Sequence, residues 1–102
     1  MKHRTRIDFD AINQAALSRL PELCACWLPD GRRRGNEYVA LNPLREDRRR
    51  GSFTINLRTG RWADFATDAR GGDPIALAAY LAGLSQVDAA RRLADMLGVP
   101  HG

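Results

Sequence analysis

Histidine and cysteine are scarce in this sequence, with two of each in 102 residues. His3 and His101 sit at opposite ends, and Cys24 and Cys26 are separated by one residue. Side chains at that spacing leave different sides of a helix and make poor partners for an unstrained disulfide. Both thiols are therefore expected to be reduced and packed. With no other thiol or imidazole available, a tetrahedral zinc site from one chain is excluded, and no cofactor is expected. The same scarcity removes the Ser-His and Cys-His pairs that activate nucleophiles. Long apolar runs are also missing. The longest, Ile75 to Leu84, is too short to span a bilayer. No apolar run follows the basic start Met1-Lys2-His3-Arg4, as a secretory signal requires. These absences predict a cytoplasmic protein with no membrane contact and no catalytic site of its own.

Arginine is the residue in excess. Between Gly31 and Gly72 there are ten arginines, no lysine and five acids, a net charge of +5, whereas the remainder of the chain carries −1. The planar guanidinium suits phosphate oxygens and stacks on bases, so the basic excess points to a nucleic-acid partner. The bland alternative is a solvated arginine-rich surface.

The pattern along the chain predicts one α+β domain over residues 1–102 (helices in 1–30, a sheet in 37–66, a helical hairpin in 73–98). Asp8 or Asp10 caps a first helix with Phe9, Ile12, Ala16 and Leu20 on one face. Pro21 breaks or restarts it, and a second short turn carries Leu23, Cys24 and Trp27. Arg32 to Asn36 reads as a polar loop. Glu37 to Leu41 reads as a strand, Ser52 to Leu57 alternates with Phe53, Ile55 and Leu57 on one face, and Trp62 to Ala66 returns after a hairpin turn. The expectation is a three-stranded antiparallel sheet flanked by helices. Thr67 to Gly72 reads as a loop. Asp73-Pro74 starts a buried helix that Gly83 ends, and Ser85 with Asp88 opens the last helix, which Gly98 closes. Val87, Ala90, Ala94 and Leu97 are expected to face inward.

The candidate binding residues are Arg45, Arg48, Arg49, Arg50, Arg58, Arg61 and Arg70 in the loops, with Trp62 or Tyr38 stacking on bases. A basic groove with aromatic faces is how single-strand binders work. Alternation places Trp62 and Asp64 on one face of their strand, Ala63 and Phe65 on the other. One of the two aromatics is thus core. Gly71-Gly72 before a helix start offers backbone amides to an anion, but no lysine-serine pair follows, so it is no nucleotide P-loop. Asp64, Asp68 and Asp73 form the only acidic cluster that one loop brings together, the pattern a magnesium-dependent nuclease requires. Capping by Asp73 is the simpler role.

Asn42-Pro43-Leu44-Arg45, Glu46 or Asp47, Gly51-Ser52-Phe53, Gly72-Asp73 and the closing Asp88-Ala89-Ala90, Leu93-Ala94 and Leu97-Gly98 occur in a telling order. On these motifs the stretch from Asn42 to Gly98 resembles the zinc-ribbon domain at the front of bacterial and phage DNA primases. Trp62-Ala63-Asp64-Phe65-Ala66 with Gly71-Gly72-Asp73 resembles a zinc-free branch found in phage and mobile-element primase-helicases. Asn42 and Arg45 stand where that family has two zinc ligands, and no Cys-x-x-Cys occurs near Phe65. The resemblance implies a degenerate zinc ribbon without metal, with Trp62, Phe65 and Phe53 filling the space. It also implies single-stranded DNA template binding, as an accessory or N-terminal domain of a replication primase. The rival reading is a small mobile-element protein that binds a host defence or replication protein.

Overall fold

The computed structural model of the chain describes residues 7–44 and 52–100. The Asp8 carboxylate accepts the Ala11 N–H at 3.0 Å and starts α1, Phe9–Ser18. Arg19 separates it from α2, Leu20–Trp27, whose first turn holds Pro21. Proline lacks the N–H that continuation of α1 would use, and its fixed φ suits a helix start. Ile12, Ala16, Leu20, Leu23 and Cys24 all turn into the core, while Phe9 stays 38% exposed.

The architecture is α+β, with five strands among the described residues where the sequence pattern predicts three. They are β1 (Arg32–Arg34), β2 (Glu37–Ala40), β3 (Phe53–Asn56), β4 (Trp62–Asp64) and β5 (Arg70–Gly71), running antiparallel in sequence order. The two extra strands are the edges. β1 is a run of three exposed arginines with no apolar alternation to mark it. It forms because a two-residue connection, Gly35-Asn36, folds it onto β2 with Arg34 opposite Glu37. Gly35 adopts the positive φ of 63° that such a tight hairpin needs. β5 has only two residues, one of them glycine, and pairs Arg70 with Ala63 and Gly71 with Trp62.

Helix α3, Pro74–Ala82, begins with the Asp73 carboxylate accepting the Ala76 N–H at 2.8 Å. Helix α4, Gln86–Leu97, begins with the Ser85 hydroxyl accepting the Asp88 N–H. Gly83 and Gly98 close them in the left-handed conformation. Ala89, Ala90, Leu93 and Ala94 form the buried side of α4. Val87, expected inward, is 41% exposed instead, in the first turn of the helix.

All four helices contribute to one core with Tyr38, Ala40, Phe53, Ile55, Leu57 and Trp62 of the sheet region. Register places these side chains on one face, since Tyr38 opposes Ile55, Ile55 opposes Trp62 and Ala40 opposes Phe53. Phe53, Trp62 and Tyr80 form an aromatic cluster at its centre, with Trp62 and Tyr80 ring centroids 4.9 Å apart. Among the described residues, no helix is long and apolar enough to cross a membrane.

Two features of this core yield measurable consequences. Gly71 lies flat against the Trp62 indole, where an added Cβ would stand 2.5 Å from Nε1. The ring is wedged between Phe53 and Tyr80 and has nowhere to retreat, so Gly71→Ala should lower stability by about 1–3 kcal/mol in urea unfolding. Burial also pushes the Cys24 thiol from its ordinary 9.0 up to about 12, while Cys26 is exposed. A thiol reagent at neutral pH should therefore modify Cys26 at once and Cys24 only on unfolding. A raised pKa favours the protonated thiol in the folded state. This contribution is intact below about 9 and is lost as pH climbs towards 12.

Candidate functional site

The second face of the sheet carries a different population of side chains. Two transverse rows follow from the register. One runs Arg34, Glu37, Asn56 and Arg61, and the next runs Arg32, Val39, Thr54, Ala63 and Arg70. Arg61 joins the first row because its carbonyl accepts the Asn56 N–H at 2.7 Å, extending the β3–β4 ladder. Phe65 extends it at the other end, donating its N–H to the Ser52 carbonyl at 2.7 Å, and so points the same way as Ala63. Arginines thus stand on both lateral edges of the face, and Glu37, Asn56, Thr54, Ala63 and the buried Val39 occupy its middle. Strand spacing puts the two edges about 15–20 Å apart. A groove of about 520 Å³ runs over this face, lined by Thr54, Asn56, Ala63, Phe65, Arg61 and Arg70, with Glu37, the Gly71-Gly72 backbone and part of the otherwise buried Trp62.

Phe65 is the outlier on this face. Its side chain is 75% exposed, the highest value among the large exposed hydrophobic residues. Full burial of a phenylalanine contributes roughly 1.5–3 kcal/mol, most of which is forgone here. The ring leaves one flat apolar surface beside a row of guanidiniums. Chemically, the face offers cations to a polyanion and an aromatic plane to a flat ring.

The candidate residues read from sequence divide three ways. Arg61 and Arg70 share the open face, and Arg58 is exposed on the β3–β4 turn at its end. Arg45, Arg48, Arg49 and Arg50 lie outside the described residues. Trp62 and Tyr38 are corrections. They are 5% and 6% exposed, both on the helix-covered face, and Tyr38 donates its hydroxyl to the Leu28 carbonyl at 2.7 Å. Neither ring has a free plane for stacking. Phe65, expected to help fill the core, is the aromatic that faces out. Arg32 and Arg34, read as loop residues, join the site because β1 pairs with β2. The pairing of β1 was the missing signal, and only the Gly35-Asn36 turn hints at it.

Of the acids expected to cluster, Asp64 and Asp73 have structural employment, and Asp68 is exposed. Asp64 is 1% exposed and faces the core opposite Phe53. Asn42, also 1% exposed, donates one Nδ2 hydrogen bond to Asp64 Oδ2 and another to the Tyr80 hydroxyl, each at 2.8 Å. The Asn42 Oδ1 accepts the Leu44 N–H, and Asp64 Oδ1 accepts the Ala66 N–H at 3.0 Å. This clasp joins the end of β2, the end of β4 and α3. Asp73 caps α3. Among the described residues, no three histidine, cysteine or acidic side chains are grouped to hold a metal ion. Beyond the Gly71-Gly72 pair, two amides of the first turn of α3 are taken, Ile75 N–H by the Asn13 Oδ1 at 3.0 Å and Ala76 N–H by Asp73.

A second concavity, of about 390 Å³, lies between Trp27 and the α3–α4 hairpin. It is apolar, with Leu81, Leu84 and the half-exposed Met96 in its walls and Arg92 its one charged residue. Comparison with protein-family models and with curated protein sequences finds no match.

Asn42→Ala should expose how much the fold depends on the clasp. It removes two donors from buried acceptors, one of them a carboxylate, and an unmet buried polar group costs about 1–3 kcal/mol, more for a charged one. A urea midpoint unchanged from the parent protein would show that the clasp contributes nothing.

Proposed function

We propose that the open sheet face binds single-stranded DNA and that the protein acts by binding, with no reaction of its own. The observation that carries this reading is the pairing of arginines on both edges of one uncovered face with an outward phenylalanine between them. Phosphates attract the guanidiniums whatever the base sequence, and an unstacked base finds a plane in Phe65. A duplex hides its base faces, so the exposed ring favours a single strand. Rows spaced by about 6.8 Å along the strands give successive pairs of arginines, Arg34 with Arg61 and Arg32 with Arg70.

The setting we infer is an accessory or N-terminal domain of a replication primase. Support for it comes from Asn42, which stands where the resemblance to primase zinc ribbons has a metal-ligating cysteine. In this chain Asn42 is the centre of the hydrogen-bonded clasp to Asp64 and Tyr80. A side-chain network there does the cross-linking that a metal ion does in a zinc ribbon. Phe53 and Trp62 fill the adjacent core, with Tyr80 in the third position that the sequence reading gave to Phe65.

Titration of a labelled single strand at several salt concentrations tests the binding reading. Affinity should fall with salt by about 0.7 logarithmic units per unit of log salt for each phosphate contacted. Replacing Arg61 and Arg70 by alanine should flatten that slope by about 1.4 if each meets one phosphate. Phe65→Ala should weaken binding about five- to a hundredfold, the range measured for base–aromatic stacking, and leave the slope unchanged. Binding that is insensitive to salt, or untouched by all three substitutions, would overturn the reading.

A further inference from the structure

Among the described residues, Glu37 is the one acid lining the groove, facing Arg61 and Arg70. A face built only to grip phosphate gains nothing from a carboxylate, which repels the ligand. An ion pair with a neighbouring arginine would neutralise it, but Glu37 is engaged in none among the described residues. It stands between Arg34 of β1 and Asn56 of β3. The Leu57 N–H bonds the Asn36 carbonyl, so by alternation Glu37 and Asn56 form the narrow, non-hydrogen-bonded pair, in which side chains approach closest.

The Asn56 amide is oriented. Its Oδ1 accepts the N–H groups of Arg58 at 2.9 Å and Thr59 at 3.0 Å, which leaves Nδ2 as the end free to donate. An ionised glutamate only accepts. Side by side, the pair thus offers two carboxylate oxygens and one amide donor. Among the Watson–Crick edges, only guanine has two adjacent donors, N1–H and the N2 amino group, followed by an acceptor, O6. Both donors fit the two oxygens of one carboxylate, and O6 then falls on the side of the amide. Cytosine and adenine each offer a single donor group there, and thymine one donor between two acceptors. That edge of guanine is available only when the base is unpaired.

We propose that Glu37, positioned beside Asn56, makes the open face prefer an unpaired guanine. This rests on the single-strand reading and names the base it reads. Phe65 stands two rows further along the sheet, about 13 Å in the strand direction and two strands across, so it stacks a different base of the same strand. The guanine sits over the Arg34–Arg61 row, whose guanidiniums flank its phosphates.

The test compares three short labelled strands by fluorescence anisotropy: all thymidine, thymidine with one central guanine, and the same strand with inosine in place of guanine. Inosine keeps N1–H and O6 but lacks the N2 amino group. The parent protein should bind the guanine strand about tenfold more tightly than the thymidine strand, with inosine recovering only a small part of that ratio. In Glu37→Gln the ratio should fall to near one, because an amide offers one acceptor oxygen where the carboxylate offers two, and sets an NH2 donor against the donors of guanine. A matching urea midpoint would confirm that this exposed residue left the fold intact. Equal binding of guanine and thymidine strands, with normal salt dependence, overturns the guanine preference and leaves the single-strand reading standing. So does a guanine preference that survives Glu37→Gln. Failure of all three strands to bind at low salt removes the single-strand reading, and this inference with it.

Discussion

The arrangement of both faces depends on one buried carboxylate. Asp64 has almost no contact with solvent, and a charge in that position persists only when it is hydrogen-bonded. Asn42 supplies that bond from the end of β2, and spends its second amide hydrogen on Tyr80 of α3. Because strand side chains alternate, fixing Asp64 inward fixes Trp62 inward and Ala63 and Phe65 outward. A slip of one residue would reverse all four. Apolar content alone hardly separates the two registers, since each buries one large aromatic. What separates them is that only the observed one gives Asp64 its Asn42 and gives Trp62 the flat Gly71 backbone to lie against. The exposure of Phe65 follows from the clasp.

The edges of the sheet show a second constraint. An uncovered edge strand invites pairing with another chain, and rows of charged side chains discourage it. β1 consists wholly of exposed arginine. Two of its side chains, Arg32 and Arg34, point over the open face, while Arg33 folds back and donates from Nε to the Gly35 carbonyl at 3.0 Å. The same residues that keep the edge solvated put charge along one side of the open face. Charge on β1 therefore answers two physical demands at once.

Much of the fold was legible in the residues. Capping signals at Asp8, Asp73 and Ser85 set three helix starts, and Phe53, Ile55 and Leu57 set the inward face of β3. Tertiary pairing decided the remainder. Nothing in Arg32-Arg33-Arg34 has strand character, since neither face of β1 is buried, and the two residues of β5 are too few to carry a period. The basic character of the site was legible from composition, but its aromatic was not. Trp62 and Phe65 sit on opposite faces of one strand, and choosing between them required knowing that Asp64 has a buried partner 22 positions earlier in the chain. No local pattern carries that contact. The same distance hid the role of Asn42, whose neighbours in sequence make it look like an ordinary residue before proline.

Because the helices cover one face only, the fold and the open surface are nearly independent. Glu37, Arg61 and Arg70 have no part in the apolar core, and distant sites without shared partners contribute additively. The surface could change its charge and its hydrogen-bonding pattern without a packing penalty, provided that Asn56 keeps the turn closed through its Oδ1. Asn56 is where the two halves meet. It holds the β3–β4 turn from beneath with one end of its amide and faces the groove with the other. Losing it would loosen the turn that places Arg58 and Arg61, so the geometry of the arginines and the chemistry of the groove floor are set by the same side chain.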